Sequence, residues 1–178
     1  MSTRLIHRSA ASPSRDLTDC LEGLFLSELL NPGKRLLVVS PWMSDFPALN
    51  NRGGKFTSLN ASWTATFVPF SSILRAMLQF GTFVRIACGP GDRETALLSR
   101  VEQAASLDGT TDRLSLTRLP REHRVFSHEK ALIGDTWAVY GSMNLTYSGV
   151  TMNGELITVT TDEARVAAAA TELLGLFK

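Results

Sequence analysis

Two hydrophobic periods alternate along this chain, and one segment cannot satisfy both. Residues 16 to 30 place Leu17, Leu21, Leu24, Phe25, Leu29 and Leu30 at helical spacing, and Asn31-Pro32-Gly33 then stops the helix. Arg35 to Ser40, with Leu-Leu-Val-Val at its centre, reads as a short buried strand. The same pair of signals returns downstream. Ser71 to Phe80 is expected as a helix broken at Gly81, Phe83 to Cys88 as a strand, Gly89-Pro90-Gly91 as a turn, and Arg93 to Ala105 as a helix. Leu114 to Leu119 reads as a strand, Ser127 to Leu145 as two strands joined by a tight turn, and Glu155 to Thr160 as another strand. Glu163 to Phe177 closes as a helix packing Val166, Ala170, Leu173, Leu174 and Phe177. Such alternation predicts an α/β layered domain, a mixed β-sheet flanked by helices.

The 178 residues suit one compact domain over 16–178, preceded by a flexible arm over 1–15. Ser44 to Ser62 is rich in Asn, Gly and Ser and reads as a loop insertion whose Arg52 and Lys55 could touch a polyanion, although a solvated loop explains them as well. Hydrophobic residues at 44% and charged residues at 20% are those of a globular protein. A net charge of +1 gives no molecule-wide attraction to nucleic acid or anionic membrane, so attraction must come from local patches. Cys20 and Cys88 match no metal-ligand spacing and argue against a disulfide framework. The N-terminal stretch lacks an apolar run of signal-peptide length. The most apolar region, 66 to 88, is interrupted by Pro69, Arg75, Gln79, Gly81 and Arg85, so a cytoplasmic protein is expected.

Chemistry concentrates between His128 and Asn144. In extended strands His128 and Lys130 share a face, as do Ser142 and Asn144. Whether the two pairs meet depends on register. A two-residue turn at Gly134-Asp135 would set His128 opposite Gly141 and send Ser142 to the other face. A three-residue turn, Gly134-Asp135-Thr136, sets His128 opposite Ser142 and Lys130 opposite Tyr140, with Asn144 one pair further along, and this register is expected. An imidazole, an ammonium, a hydroxyl and a carboxamide on one face are poor core material but suit a phosphoryl group. Lys130 neutralises its charge, Ser142 and Asn144 donate hydrogen bonds, and His128 attacks phosphorus; this chemistry requires no metal or other cofactor.

These residues, His128-x-Lys130-x4-Asp135 and Gly141-Ser142-x-Asn144 followed by Asn153-Gly154-Glu155, resemble the signature of the phospholipase D superfamily, with the likeness extending over roughly residues 20 to 178. The resemblance implies a phospholipase-D-like fold, His128 as nucleophile, Lys130, Ser142 and Asn144 as phosphate ligands, and Glu155 accepting a hydrogen bond from the imidazole. Asp135 falls in the turn and is assigned a structural role, as is Gly141. The large enzymes of the superfamily carry two such motifs and this chain carries one, since neither His7 nor His123 is followed by Lys two residues on. Similarity to small single-motif bacterial endonucleases implies a homodimer that places two copies of His128 across one phosphate.

Other features carry more than one reading. Arg113, Arg118, Arg121, His123 and Arg124 form either a basic rim for a nucleic-acid backbone, with Arg124 a substrate ligand, or ordinary solvated charges. Trp42, at the end of the first strand, stacks on a base or caps the core, and core is favoured. Glu155 has the alternative of an exposed strand residue. Gly89-Pro90-Gly91-Asp92 lacks the Gly-Lys-Ser/Thr ending of a phosphate loop. Three functions compete. The first is a metal-independent nuclease, with DNA favoured over RNA as partner. The second is a phospholipid hydrolase or phosphatidyltransferase, although no amphipathic segment is visible to hold a membrane. The third is a silent nucleic-acid-binding subunit of a restriction or DNA-modification system, such as the phospholipase-D-like member of a 7-deazaguanine modification cluster, acting with other subunits.

Overall fold

The computed structural model describes residues 2–11, 14–119 and 128–177. In chain order the elements are β1 (Thr3–Arg8), α1 (Asp16–Leu30), β2 (Arg35–Ser40), β3 (Pro47–Asn50), β4 (Phe67–Pro69), α2 (Phe70–Gln79), β5 (Phe83–Cys88), α3 (Asp92–Asp108), β6 (Leu114–Arg118), β7 (Ala131–Ile133), β8 (Ala138–Gly141), α4 (Tyr147–Thr151), β9 (Glu155–Thr160) and α5 (Glu163–Leu174). Among the described residues the main sheet has the order β1-β9-β8-β7-β2-β5-β6. The strands β2, β5 and β6 run parallel, and every other neighbouring pair is antiparallel. The expected mixed sheet between helices is therefore observed.

The main core lies on one face. Leu17, Leu21, Phe25 and Leu29 of α1 recur every four residues and pack there with Ile73, Leu74 and Met77 of α2, Leu97 and Val101 of α3, and Leu36, Val38, Val84 and Ile86 of the sheet. Asp16 and Asp19 in the first turn of α1 suit the positive end of the helix dipole. On the other face α5 sets Val166 and Ala170 against Leu37, Ala131, Ile133 and Ala138. Buried on both faces, β2 is almost wholly apolar, as a central strand must be.

Two expectations fail outside the motif. Residues 3–8 are not a flexible arm: β1 pairs along its whole length with β9, from Thr3 opposite Thr160 to Arg8 opposite Glu155. Only Ile6 and Arg8 of this strand are buried, so it carries little apolar periodicity to read. The 44–62 stretch is not a structureless insertion either. It contains β3, which pairs with β4, and it is built around Asn51, fully buried, whose side chain donates to Thr64 O (3.0 Å) and accepts from Phe56 N (2.8 Å). Arg52 lies over the Phe67 ring at 4.5 Å and Lys55 over Phe56 at 4.6 Å. A buried asparagine supplying backbone partners leaves no periodic trace in sequence.

The third correction is the hairpin register. Ala131 faces Tyr140 and Ile133 faces Ala138, and Gly141 N donates to Lys130 O (3.3 Å), so Lys130 sits opposite Gly141, not Tyr140. The connection closes with Gly134 N on Trp137 O (3.0 Å), leaving Asp135-Thr136 at the tip. Tertiary anchoring imposes this. The buried Trp137 indole donates to Glu28 of α1 (2.6 Å), and Asp135 accepts from Lys34 N (2.5 Å) and pairs with Arg35 (3.4 Å). A Cβ on Gly134 would lie 2.7 Å from the Trp137 indole nitrogen and 2.8 Å from the Glu28 carboxylate, so glycine is required.

Candidate active site

Antiparallel pairing of β7 with β2, β8 with β7 and β9 with β8 brings four chain ends to one edge of the sheet: the exit of β2, the entry of β7, the exit of β8 and the entry of β9. Trp42, His128 and Lys130, Ser142 and Asn144, and Glu155 occupy those ends. This is also the carboxyl edge of the parallel strands, where open α/β sheets place their ligands.

In the observed register a regular ladder would send the Ser142 side chain to the α5 face, away from Lys130. Gly141 prevents this. Its φ is 154°, and a Cβ there would lie 2.4 Å from Leu156 O and 2.8 Å from Ile157 Cα. The strand breaks at this glycine and turns Ser142 back over the start of β9, where its Oγ donates to Glu155 Oε2 (2.5 Å) and accepts from Leu156 N (3.0 Å). Ser142 therefore reaches Glu155 through a glycine bend, not through the expected three-residue turn. Because the Ser142 proton goes to Glu155, the described hydroxyl is committed to that carboxylate instead of facing outward as a phosphate donor. The described partner of Glu155 is accordingly Ser142, where the imidazole was expected.

Lys130 Nζ lies 2.9 Å from His128 Nδ1 and donates to His128 O (2.6 Å). An ammonium only donates, so Nδ1 accepts, which places the proton of a neutral ring on Nε2. Lys130 is buried, and burial pushes its pKa below the ordinary lysine value, against the opposing pull of Glu155 and Glu129. His128 is exposed at the mouth, its ring edge-on to Trp42 with centroids 5.6 Å apart, and the Lys130 ammonium is 5.9 Å from the Trp42 centroid. Trp42 is 41% exposed and is not a core residue, contrary to the favoured expectation. The backbone beside it is tied elsewhere, so its ring is left at the surface.

Asn144 is placed by the link between the segments after β2 and β8. Met43 bridges Leu145, Ser44 N donates to Leu145 O (2.9 Å), and Leu145 N donates to Ser40 Oγ (3.2 Å). Ser40 has one proton to give. Trp42 O at 2.8 Å is the better acceptor, and Asn144 Oδ1 lies at 3.4 Å. Gly149 of α4 abuts Asn144, since a Cβ there would be 2.2 Å from Asn144 O.

One residue at the site was not anticipated. Arg8, 1% exposed, sends its guanidinium to the carbonyls of Gly149 (2.5 Å), Val150 and Asn153 (2.7 Å), holding the segment that joins Asn144 to Glu155. Burial lowers its pKa, and the nearby Glu155 charge raises it. An arginine alternating with buried Ile6 was the available signal. Asp135 stays in the turn, on Lys34 and Arg35. Arg124, with Arg121 and His123, lies outside the described residues. Arg118 donates to Gly89 O (3.1 Å) and Thr95 (3.0 Å), bracing the loop after β5. Among the described residues no cluster of three His, Cys, Asp or Glu is placed to hold a metal ion, and no helix is long and apolar enough to cross a membrane.

The family model described as cardiolipin synthase, PLD-like domain, matches residues 64–177. The chain belongs to the phospholipase D superfamily. Its structure is similar to that of Nuc from Salmonella typhimurium, a phospholipase D family member, with a TM-score of 0.60 at 14% identity, covering 98% of this chain and 93% of Nuc. It is also similar to NucT from Helicobacter pylori, with a TM-score of 0.56 at 12% identity, covering 98% and 94%. A phosphatidylserine synthase from Haemophilus influenzae Rd KW20 aligns with a TM-score of 0.63 at 16% identity, over 96% of this chain but 37% of that enzyme. No curated protein matches by sequence. Identities this low show a shared fold.

Proposed function

We propose that this chain is a phosphodiesterase of the nuclease type, cleaving DNA or RNA through a covalent phosphohistidine on His128 without a metal, in a homodimer. The observation that carries it is the Lys130–His128 contact at the edge where Asn144, Glu155 and Trp42 also converge. A phosphate oxygen competes for the Lys130 ammonium and so frees the imidazole lone pair it holds. Asn144 donates to a second oxygen, and Ser142 keeps Glu155 beside the ammonium. The imidazole lone pair attacks phosphorus, forming a P–N bond as the P–O bond to the leaving oxygen breaks. His128 of a second copy gives that oxygen a proton. The second histidine, now neutral, takes a proton from water as the water oxygen attacks phosphorus, and the P–N bond breaks to release His128.

The dimer is supported by the single motif and by an exposed apolar strip next to the site. Leu156 (47% exposed) follows Glu155, and Leu5 (64% exposed) lies on the adjoining β1. The fold shared with Nuc and NucT extends over nearly the whole of both proteins. The test is incubation in EDTA with plasmid, single-stranded DNA, RNA and phosphatidylcholine vesicles, beside His128→Ala, with the molecular mass measured in solution. Cleavage of nucleic acid by a dimer, abolished in the variant and accompanied by an acid-labile phosphoenzyme, is expected. Lipid cleavage alone supports the hydrolase reading, and binding without turnover by a monomer supports a silent subunit. Cleavage undiminished in His128→Ala refutes the mechanism.

A further inference from the structure

The Trp42 loop is held more firmly than a solvent-exposed tryptophan requires. Gly89 N donates to Pro41 O (3.0 Å), Ser40 Oγ to Trp42 O (2.8 Å), Met43 N to Glu94 Oε1 (2.9 Å) and Ser44 N to Leu145 O (2.9 Å). Glu94, which receives Met43, is buried at 4% exposure, and a Cβ on Gly89 would meet Pro41 O at 2.6 Å. A large indole at the surface costs exposure of apolar area, and a backbone held in advance lowers the ordering cost of presenting it to something flat. Beside it opens a groove of about 240 Å³ whose lining includes Trp42, Arg93, Asn144 and Asn153 together with Glu94, the buried carboxylate that accepts from Met43 N. Asn144, the phosphate ligand of the proposed mechanism, is part of its lining.

Resting on the nuclease reading, we propose that Trp42 and Arg93 form a subsite for one unpaired nucleotide flanking the scissile phosphate, with its base on the indole and its own phosphate on the guanidinium. Every nucleobase has a face to stack, so such a site tolerates sequence, and an arginine adds charge for the backbone. The groove is smaller than the about 300–1,000 Å³ of drug-sized sites, which suits a single base and not a duplex. A paired base is already stacked and must be extruded to reach the indole, so the subsite favours unpaired strands. A choline headgroup could also seat on an indole, but the Glu94 carboxylate in this groove is buried and taken by Met43 N, so the exposed charge is the Arg93 cation, which repels a cation and attracts a phosphate. DNA and RNA share the recognised chemistry.

The test measures kcat/KM for wild type, Trp42→Ala, Trp42→Phe and Arg93→Gln. The substrates are short thymidine and uridine strands with one cleavable phosphodiester, their analogues with abasic residues flanking that bond, and the paired duplex. Removing the bases is expected to slow wild type roughly 5- to 150-fold. In Trp42→Ala the same removal costs nothing further, while Trp42→Phe retains most of the preference and excludes misfolding as the cause. Arg93→Gln raises KM and lowers the salt slope by about 0.7. Losses from Trp42→Ala and base removal that multiply, or duplex cleaved as fast as single strand, overturn the subsite while leaving the nuclease reading intact. Wild type that cleaves no polynucleotide overturns both.

Discussion

Replacing Arg8 tests whether the N-terminal strand is part of the site. Its guanidinium supplies three carbonyls, those of Gly149, Val150 and Asn153, and it is 1% exposed, so Arg8→Met leaves three acceptors without their donor and leaves Glu155 with Lys130 but without the Arg8 charge. Hydrogen bonds to a charged group contribute about 1.5–3 kcal/mol each, and relief from burying the guanidinium offsets part of that. The net loss should fall at about 3–5 kcal/mol, the range for removing one partner of a buried charged pair. Total stability of about 5–15 kcal/mol leaves the variant folded in most of that range. At about 2–4 °C per kcal/mol for a chain of this size, the melting temperature should fall by about 6–20 °C. Arg8→Lys, which keeps the charge but cannot fork across three carbonyls, should lie between. Thermal unfolding followed by circular dichroism measures the shift, and amide exchange should show the 149–154 segment loosening first. A fall of less than about 3 °C in Arg8→Met would refute the reasoning.

The remaining expectations concern the motif itself. Lys130 has a folded pKa below its ordinary 10.5, so between the two values the unfolded chain holds more protons and stability rises with pH. Activity runs the other way: kcat/KM should fall as the ammonium deprotonates, with its alkaline limb below 10.5, and an alkaline limb at or above that value contradicts the assignment. Gly141→Ala adds a Cβ 2.4 Å from Leu156 O at a φ of 154°, costing about 1–3 kcal/mol and displacing Ser142 from Glu155. Wild-type melting and turnover in that variant would show that the bend is dispensable.

Much of this architecture was legible in the order of residues. The run of Leu17, Leu21, Phe25 and Leu29 at intervals of four and the apolar block of β2 are local patterns whose period states their structure, and the candidate motif residues stood out by type, spacing and resemblance to the phospholipase D signature. The mixed sheet followed from their alternation. What local pattern could not decide was register and company. Spacing favoured a three-residue turn, but Trp137 bonding to Glu28, 109 positions away in sequence, and Asp135 holding Lys34 set the turn tip one residue on. Gly141 then had to break the strand so that Ser142 could reach Glu155. Trp42, at the end of the first strand, read as capping the core, yet the backbone on either side of it is fastened by Gly89 and Glu94 from elsewhere, leaving the ring at the mouth. The sequence by itself determined which chemical groups the protein owns and which segments curl or extend, since those follow from short-range periodicity. Only the tertiary structure decided which groups meet, because that depends on buried polar anchors such as Arg8, Glu28 and Asn51, whose partners are distant carbonyls and side chains that no local period records.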